Sequence, residues 1–161
     1  MRQRIRQFRD ASRPPSSADL TFADAHLPAA LLALFRAQHP RDIVHSTATA
    51  RWLIERRHND SDLLAAALLH DIAKGDQRRA DRVLYVLLAP FDPLPRIVGS
   101  QSSALAWRSA IWRSHTHSER GATMLAEAGA TPRTVELALL HHTKGRGDGM
   151  LALLQEADAA N

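Results

Sequence analysis

The sequence predicts an all-α protein folded as a compact helical bundle. Apolar residues recur every three or four positions, whereas the alternation of β-branched and polar residues that marks strands is absent. Glycine and proline residues divide the chain into pieces of helical length. The 161 residues, 45% of them hydrophobic, are enough for one domain with its own core.

The chain before the first predicted helix is basic. We predict an N-terminal extension over residues 1–20, followed by a single domain over residues 21–161. Ile5 and Phe8 lie three positions apart, which suits a short helix, and residues 13–17 have the composition of a linker.

Three helices are predicted in the first half of the chain. The first covers about residues 25–37 and the second about residues 41–57, with a break at Pro40, because a residue that precedes proline avoids the helical conformation. The third covers residues 62–74 and is apolar on nearly all sides, so we expect it to lie at the centre of the bundle. Its predicted N-cap and C-terminal stop are Ser61 and Gly75.

The second half of the chain is predicted to be helical as well. Residues 96–113 carry the weakest pattern, with a short helix around Trp107 to Trp112. The other boundaries follow polar caps, prolines and glycines. The predicted helices are residues 77–89 with a cap at Asp76, residues 115–128, residues 132–142 and residues 150–159.

Composition narrows the possible chemistry. The chain has no cysteine, which excludes disulfides, thiolate metal sites and cysteine nucleophiles. Any transition metal must therefore rely on nitrogen and oxygen ligands, for which nine histidines and 17 carboxylates are available. The formal charge of +4 favours anionic partners such as nucleotides, nucleic acid or acidic lipid, although a solvated basic surface explains the same charge.

Polar side chains interrupt the apolar faces of three predicted helices. His70 and Asp71 end the most hydrophobic helix, Asp158 continues the apolar stripe of the last helix, and His45 lies within the second. A buried charge must be paired or metal-bound, so these helices offer metal-type ligands to a shared interior. Considered alone, His45 is more typical of a hydrogen-bonded histidine in the core, and Asp158 of a carboxylate on the surface.

Together, these residues resemble a known family signature. The segment Leu-Leu-His70-Asp71-Ile-Ala-Lys74-Gly, between His45 and Asp158, resembles the H…HD…D pattern of HD-domain metal-dependent phosphohydrolases. The resemblance covers residues 41–161 and implies a compact α-helical bundle with a metal site between helices. The implied metal ligands are His45, His70, Asp71 and Asp158.

A second set of histidines resembles the expanded metal site of an HD subgroup that includes cyclic-di-nucleotide phosphodiesterases. The segment H-S-E-R-G-A from His117 is similar to the subgroup's H-P-E-x-G-A, and His141 and His142 to its histidine pair. The glycine of this segment, Gly121, would let the backbone pack closely behind the ligand. The subgroup's GYP tripeptide is absent and serine replaces the proline, so cyclic-dinucleotide cleavage is not implied. The resemblance implies that these three histidines join the ligands, and it allows a two-metal site bridged by Asp71. We expect at least one of His141 and His142 to face the site, and His141 is favoured because it ends the Leu137–Leu140 face.

Such ligands suit one or two divalent ions, with manganese, iron, zinc, cobalt and magnesium all compatible. An ion with an open coordination position activates a water for attack on a phosphate ester. Asp71 and Lys74 are the candidate catalytic residues. Lys74, Lys144 and Arg146 are candidate cations for binding substrate phosphate, although each also suits a solvated side chain near a helix C-terminus.

The predicted function is therefore hydrolysis of a nucleotide, or a related phosphate ester or phosphodiester, by a metal-activated water. The alternative is a non-catalytic HD-type domain that binds metal or nucleotide as a sensor or scaffold. Binding of nucleic acid or a membrane surface through the arginine-rich N-terminus is less favoured, because Phe8 is the only aromatic residue there. No apolar run reaches the roughly 20 residues of a membrane span, and we expect a cytoplasmic protein. The sequence leaves the oligomeric state open.

Overall fold

The computed structural model describes residues 14–75, 79–88, 90–91, 93–143 and 148–161. Within these residues the chain forms helices and no strand, which confirms the predicted all-α class. The helices of the described residues are α1 (Ser17–His26), α2 (Ala29–Arg36), α3 (Pro40–Glu55), α4 (Ser61–Leu69), α5 (Arg79–Leu88), α6 (Leu94–Val98), α7 (Ala106–Glu127), α8 (Pro132–Leu140) and α9 (Gly149–Ala160).

Helix α4 lies at the centre of the bundle, as its sequence predicts. Every residue from Leu63 to Leu69 is buried, and α4 contacts α1, α2, α3, α8 and α9. Each leucine buried in this way stabilises the fold by about 2 kcal/mol. The surrounding helices therefore pack against α4. The polar residues described below lie near its C-terminal end.

The beginning of the domain differs from the prediction of one helix over residues 25–37. Two helices, α1 and α2, meet at Leu27 and Pro28, because proline fixes an extended N-cap for α2 and its preceding residue is extended as well. Helix α1 starts at the end of the predicted linker, where Ser16 and Asp19 form a capping box. The sequence Ser-x-x-Asp is the signal that the prediction missed.

Both predicted ends of α4 need correction. Its N-cap is Asp60 rather than Ser61, because the Asp60 carboxylate accepts hydrogen bonds from the backbone N–H groups of residues 62 and 63. Its last helical residue is Leu69, so residues 70–73 form turns instead of continuing the helix to Lys74. Gly75 adopts a left-handed conformation with φ of 64°, which suits its predicted role as a stop but lies six residues beyond the helix end.

Helix α7 is much longer than predicted. It runs without a break through 22 residues, where the sequence suggested a short helix near Trp107 and a separate one from residue 115. His115 therefore lies inside α7 rather than at an exposed helix start, and its Nε2 accepts a hydrogen bond of 3.0 Å from Arg96 Nε. Helix α7 contacts α5, α6 and α8, which makes it the link between the central bundle and the helices beside it.

Helices α5 and α6 present large apolar side chains to solvent. Two more are exposed at the start of α7. The helix predicted over residues 77–89 is observed as α5, and the prolines after it are followed by the short α6. The exposed apolar residues of this part of the chain are Val83, Leu87, Phe91, Leu94, Ile97, Leu105 and Trp107.

Some predictions fall on residues outside the described part of the chain. These are the helix suggested by Ile5 and Phe8, the cap at Asp76, and the two cations Lys144 and Arg146. The division between residues 1–20 and 21–161 stays a prediction. Among the described residues, no helix combines the length and the apolar character needed to cross a membrane.

Candidate metal centre

The site is built on the turn that follows α4, which we call the HD turn (residues 70–73). His70 donates its backbone N–H to Ala66 O at 2.8 Å, which is the last hydrogen bond of the helical pattern. Ile72 donates to Leu69 O, three residues earlier, at 3.2 Å, so the chain tightens into a turn directly after the helix. The side chains of His70 and Asp71 are almost completely buried, with exposed fractions of 0% and 2%. The most apolar helix of the chain thus ends in two buried polar groups.

A first group of donor atoms joins α3, the HD turn and α9. His45 Nε2 lies 2.8 Å from Asp158 Oδ1, and His70 Nε2 lies 3.5 Å from the same oxygen. The three donor atoms are all within 4.8 Å of one another, as a single ion would require of its ligands. We call His45, His70 and Asp158 the first donor group.

A second group joins the HD turn, α7 and the end of α8. It consists of Asp71, His117, His141 and His142, whose donor atoms also lie within 4.8 Å of one another. His117 Nε2 is 3.3 Å from His141 Nε2 and 3.2 Å from His142 Nε2. His142 is exposed, whereas the other members of this second donor group are buried.

Asp71 connects the two groups through its separate carboxylate oxygens. Its Oδ2 lies 3.5 Å from His70 Nε2 and contacts Lys74 Nζ. Its Oδ1 lies 3.4 Å from His117 Nε2 and 3.7 Å from His141 Nε2. The structure therefore brings all seven sequence-predicted ligands together, and both His141 and His142 lie in the cluster.

Three buried histidines are oriented by hydrogen bonds at the ring nitrogen that faces away from the cluster. In each, Nδ1 lies within hydrogen-bond distance of the carbonyl oxygen three residues earlier, so Nδ1 carries a proton and donates it. This leaves Nε2 as the nitrogen that faces the other donors. The pairs are His70 with Ala67 at 3.0 Å, His117 with Ser114 at 2.6 Å, and His141 with Ala138 at 2.7 Å.

The family model described as HD domain matches residues 36–160, a span that contains both donor groups. The chain belongs to the HD-domain family. HD domains bind divalent metals and are generally hydrolases that act on phosphate compounds, although some are non-catalytic. The searches of curated proteins and of solved structures returned no match to this chain.

The donors of this HD domain fit a divalent cation. His70 Nε2 and Asp71 Oδ1 are buried without a hydrogen-bond partner, which costs about 1–3 kcal/mol for each such group. The Nε2 atoms of His117 and His141 face each other while their Nδ1 atoms hold the ring protons, so their lone pairs repel unless a proton or a cation lies between them. A divalent ion in each donor group would satisfy these atoms.

The carboxylates of the HD domain are held in the ionised form. Burial alone would raise the pKa of the Asp71 carboxyl, but His70 and Lys74 hold that pKa well below its ordinary value of 3.8. The pKa of Asp158 is also lowered against the effect of burial, chiefly by the hydrogen bond from His45 and by the nearby imidazole of His70. Both carboxylates are therefore available as ligands at any physiological pH.

The histidines differ in protonation when no metal is bound. Burial would lower the pKa of His70, but Asp71 and Asp158 raise it to about 9. Burial lowers the pKa of His141, and burial together with the neighbouring imidazoles of His141 and His117 lowers that of His142 to about 3. The first donor group thus binds a proton that a metal would displace, whereas His141 and His142 are already neutral.

One residue at the site was not found from the sequence. Arg120 Nη1 donates a hydrogen bond of 3.1 Å to the carbonyl oxygen of Ala73, at the end of the HD turn. The sequence feature that could have indicated it is the spacing of Arg120, three positions after His117, which places both residues on the same face of a helix. His26 and His39 belong to neither donor group.

Proposed function

We propose that this HD domain is a phosphohydrolase that holds two divalent ions and cleaves a nucleotide or a related phosphate ester. The observation that carries this proposal is the position of Asp71, whose two oxygens face the first and the second donor group separately. A carboxylate between two sets of imidazole ligands is suited to hold two ions close together. Divalent ions bound in this way lower the pKa of a water molecule and neutralise the charge of a phosphate group.

The protein residues supply orientation and charge. The hydrogen bonds from Nδ1 to backbone carbonyls keep the Nε2 atoms of His70, His117 and His141 directed towards the other donors. Burial around Asp71 excludes bulk water from the inner side of the site and strengthens electrostatic interactions there. The groups are therefore preorganised and need little rearrangement when a substrate binds.

The outer side of the cluster is open to solvent. His45 and Asp158 retain exposed side-chain fractions of 25% and 24%, and His142 is exposed. Each donor group therefore has at least one solvent-exposed or half-exposed member, while Asp71 and His117 are buried. This accessibility supports a catalytic site over the alternative of a closed, non-catalytic metal site.

Lys74 is the described cation best placed to bind substrate phosphate. Its Nζ contacts Asp71 Oδ2, and its side chain keeps an exposed fraction of 23%. An ammonium group in this position can hold a non-bridging phosphate oxygen and balance the charge that develops during cleavage. The basic character of the chain, with a net charge of +4, also favours an anionic substrate.

Hydrolysis assays on the metal-loaded protein test the proposal. Purified protein would be loaded separately with manganese, iron, cobalt, zinc or magnesium and assayed with aryl phosphate monoesters, aryl phosphodiesters and a panel of nucleotides. We expect turnover of at least one phosphate ester, and a loss of about 100-fold or more in Asp71→Asn. The matched control is Asp24→Asn, which removes an exposed carboxylate paired with Arg36 and should keep full activity.

The same assays distinguish the two functional alternatives. Metal-loaded protein that turns over no substrate with any of these ions would contradict catalysis and favour a sensor or scaffold. Activity that survives Asp71→Asn unchanged would contradict the role given to the two donor groups.

A further inference from the structure

Helix α7 contacts the HD turn through three of its residues. His117 Nε2 lies 3.4 Å from Asp71 Oδ1, and Arg120 Nη1 donates to the carbonyl oxygen of Ala73 at 3.1 Å. Gly121 packs against the same turn, since a methyl group added to it would lie 3.6 Å from Ile72 Cγ1. Only the first of these contacts is made by the side chains of predicted metal ligands.

The Ala73 carbonyl accepts a hydrogen bond from another part of the chain. Residues 70–73 follow the last residue of α4, and backbone carbonyls near a helix end are satisfied by side chains, water or tight turns. A cationic side chain is a favoured donor to such carbonyls, because it also complements the negative end of the helix dipole. Arg120 fills this role from α7, 47 positions along the chain.

The guanidinium of Arg120 is itself held in place. It lies over the ring of Trp112, with 5.0 Å between Arg120 Cζ and the ring centroid. Both residues belong to α7, so the donor is fixed relative to His117 by the same helix. A planar guanidinium that both stacks and donates restricts the turn more than a flexible ammonium would.

We propose that Arg120 is a positioning residue for the metal centre. By holding the Ala73 carbonyl, it fixes the HD turn against α7, and so sets the position of Asp71 relative to His117 and of Lys74 relative to Asp71. The proposal rests on the proposed function, because it assumes that the two donor groups bind metal. Arg120 touches neither a metal ligand nor, on this view, the substrate; it acts through the backbone that carries Asp71.

Metal titration by calorimetry, without any activity measurement, tests this role. Manganese and zinc would be titrated into wild type, Arg120→Met and Arg120→Lys, each freed of metal beforehand. We expect Arg120→Met to weaken the binding of at least one ion by about tenfold or more, the range seen when an outer-shell partner of a metal ligand is removed. Arg120→Lys keeps the charge and a donor but loses the planar group, and should be intermediate.

Arg56 provides a matched control. Its guanidinium also lies over a tryptophan, Trp52, at 3.7 Å, and donates to a backbone carbonyl, but only that of Trp52, one turn before it on α3. Arg56→Met therefore removes the same kind of stacking and hydrogen bonding at a place remote from the HD turn. We expect its metal affinity to stay within about twofold of wild type, the usual effect of a substitution away from such features.

Thermal unfolding of the metal-free variants separates positioning from general stability. If Arg120→Met lowers the unfolding temperature but binds both ions as tightly as wild type, Arg120 is a structural residue and the inference is overturned. If wild type binds no divalent ion, the proposed function fails and this inference fails with it. If Arg120→Met does not fold, Arg120→Lys decides: unchanged metal affinity overturns the inference, and weakened affinity together with a wild-type unfolding temperature supports it.

Discussion

His45 Nε2 lies 2.8 Å from Asp158 Oδ1, and this contact joins α3 to α9 across 113 positions of the chain. The same oxygen is also 3.5 Å from His70 Nε2, so one carboxylate oxygen faces two imidazoles. An ordinary ion pair does not need this arrangement, whereas ligands around a cation converge in this way. Asp158 on α9 therefore completes the first donor group.

The number of bound ions is expected to depend on which donor group is altered. Asp158→Asn removes a ligand from the first group only, and His141→Gln from the second only, so each should reduce the metal content from about two ions to about one. Asp71→Asn affects both groups and should leave close to none. Elemental analysis of proteins equilibrated with excess manganese and then desalted measures this. Equal metal content in all three variants and wild type would contradict the assignment of Asp71 as the shared ligand.

Metal binding is expected to release about one proton near pH 7.5, because a ligating imidazole must be neutral. The pKa of His70 is raised to about 9 in the metal-free protein, so His70 is protonated at pH 7.5 and a metal must displace that proton. Since the pKa is raised, affinity should increase with pH up to about 9 and the release should vanish above it. Calorimetric titrations in buffers of different ionisation enthalpy count the protons. His70→Gln should release none, and a buffer-independent heat for wild type would refute the prediction.

Loss of the Lys74 ammonium is expected to impair catalysis more than metal binding. In Lys74→Met, kcat/KM for a phosphate ester should fall by about 100-fold, because a cation that stabilises the transition state is removed. The bound metal content should remain that of wild type, since Lys74 contacts Asp71 but is not a ligand. Lys74→Arg, which keeps the charge, should recover part of the rate. Wild-type kinetics in Lys74→Met would mean that this lysine is only a solvated cation.

Substitution of Gly121 tests how closely α7 approaches the HD turn. A methyl group at this position would meet Ile72, Ala73 and the His70 carbonyl at 3.6–3.9 Å, which is ordinary van der Waals contact. Gly121→Ala should therefore keep metal binding and raise the free energy of unfolding by about 0.5–1 kcal/mol, because glycine is unfavourable inside a helix. Gly121→Val should lower it by about 1–3 kcal/mol through overpacking. Denaturant unfolding of the metal-free variants gives both values, and a destabilised Gly121→Ala would show that the contact is tighter than the structure indicates.

Much of the helical structure follows from local sequence, and the errors have local causes. The break between α1 and α2 was missed, although Pro28 and the Ser16–Asp19 capping box are visible in the sequence. The length of α7 was missed for another reason. Its first half has a weak apolar pattern, and contacts with α5 and α6 support it in the folded chain.

The sequence could predict which residues form the candidate site but not how those residues are arranged. Polar residues on apolar helix faces, in the order of a known motif, single out His45, His70, Asp71 and Asp158. Their resemblance to the HD pattern adds the three histidines of the second group. The support of the HD turn by Arg120 was not predicted, since the acceptor is a backbone carbonyl and carries no mark in the sequence.

The helical class, the central position of α4 and the kinds of ligand available can all be read from the chain, because periodicity and residue chemistry are local properties. The division of the ligands into two groups, the separate oxygen that Asp71 offers to each, and the contact of α7 with the HD turn appear only in the folded chain. These features depend on distances between side chains on different helices, which are set by how the helices pack. That packing depends on the whole buried core, and no single segment of the sequence specifies it.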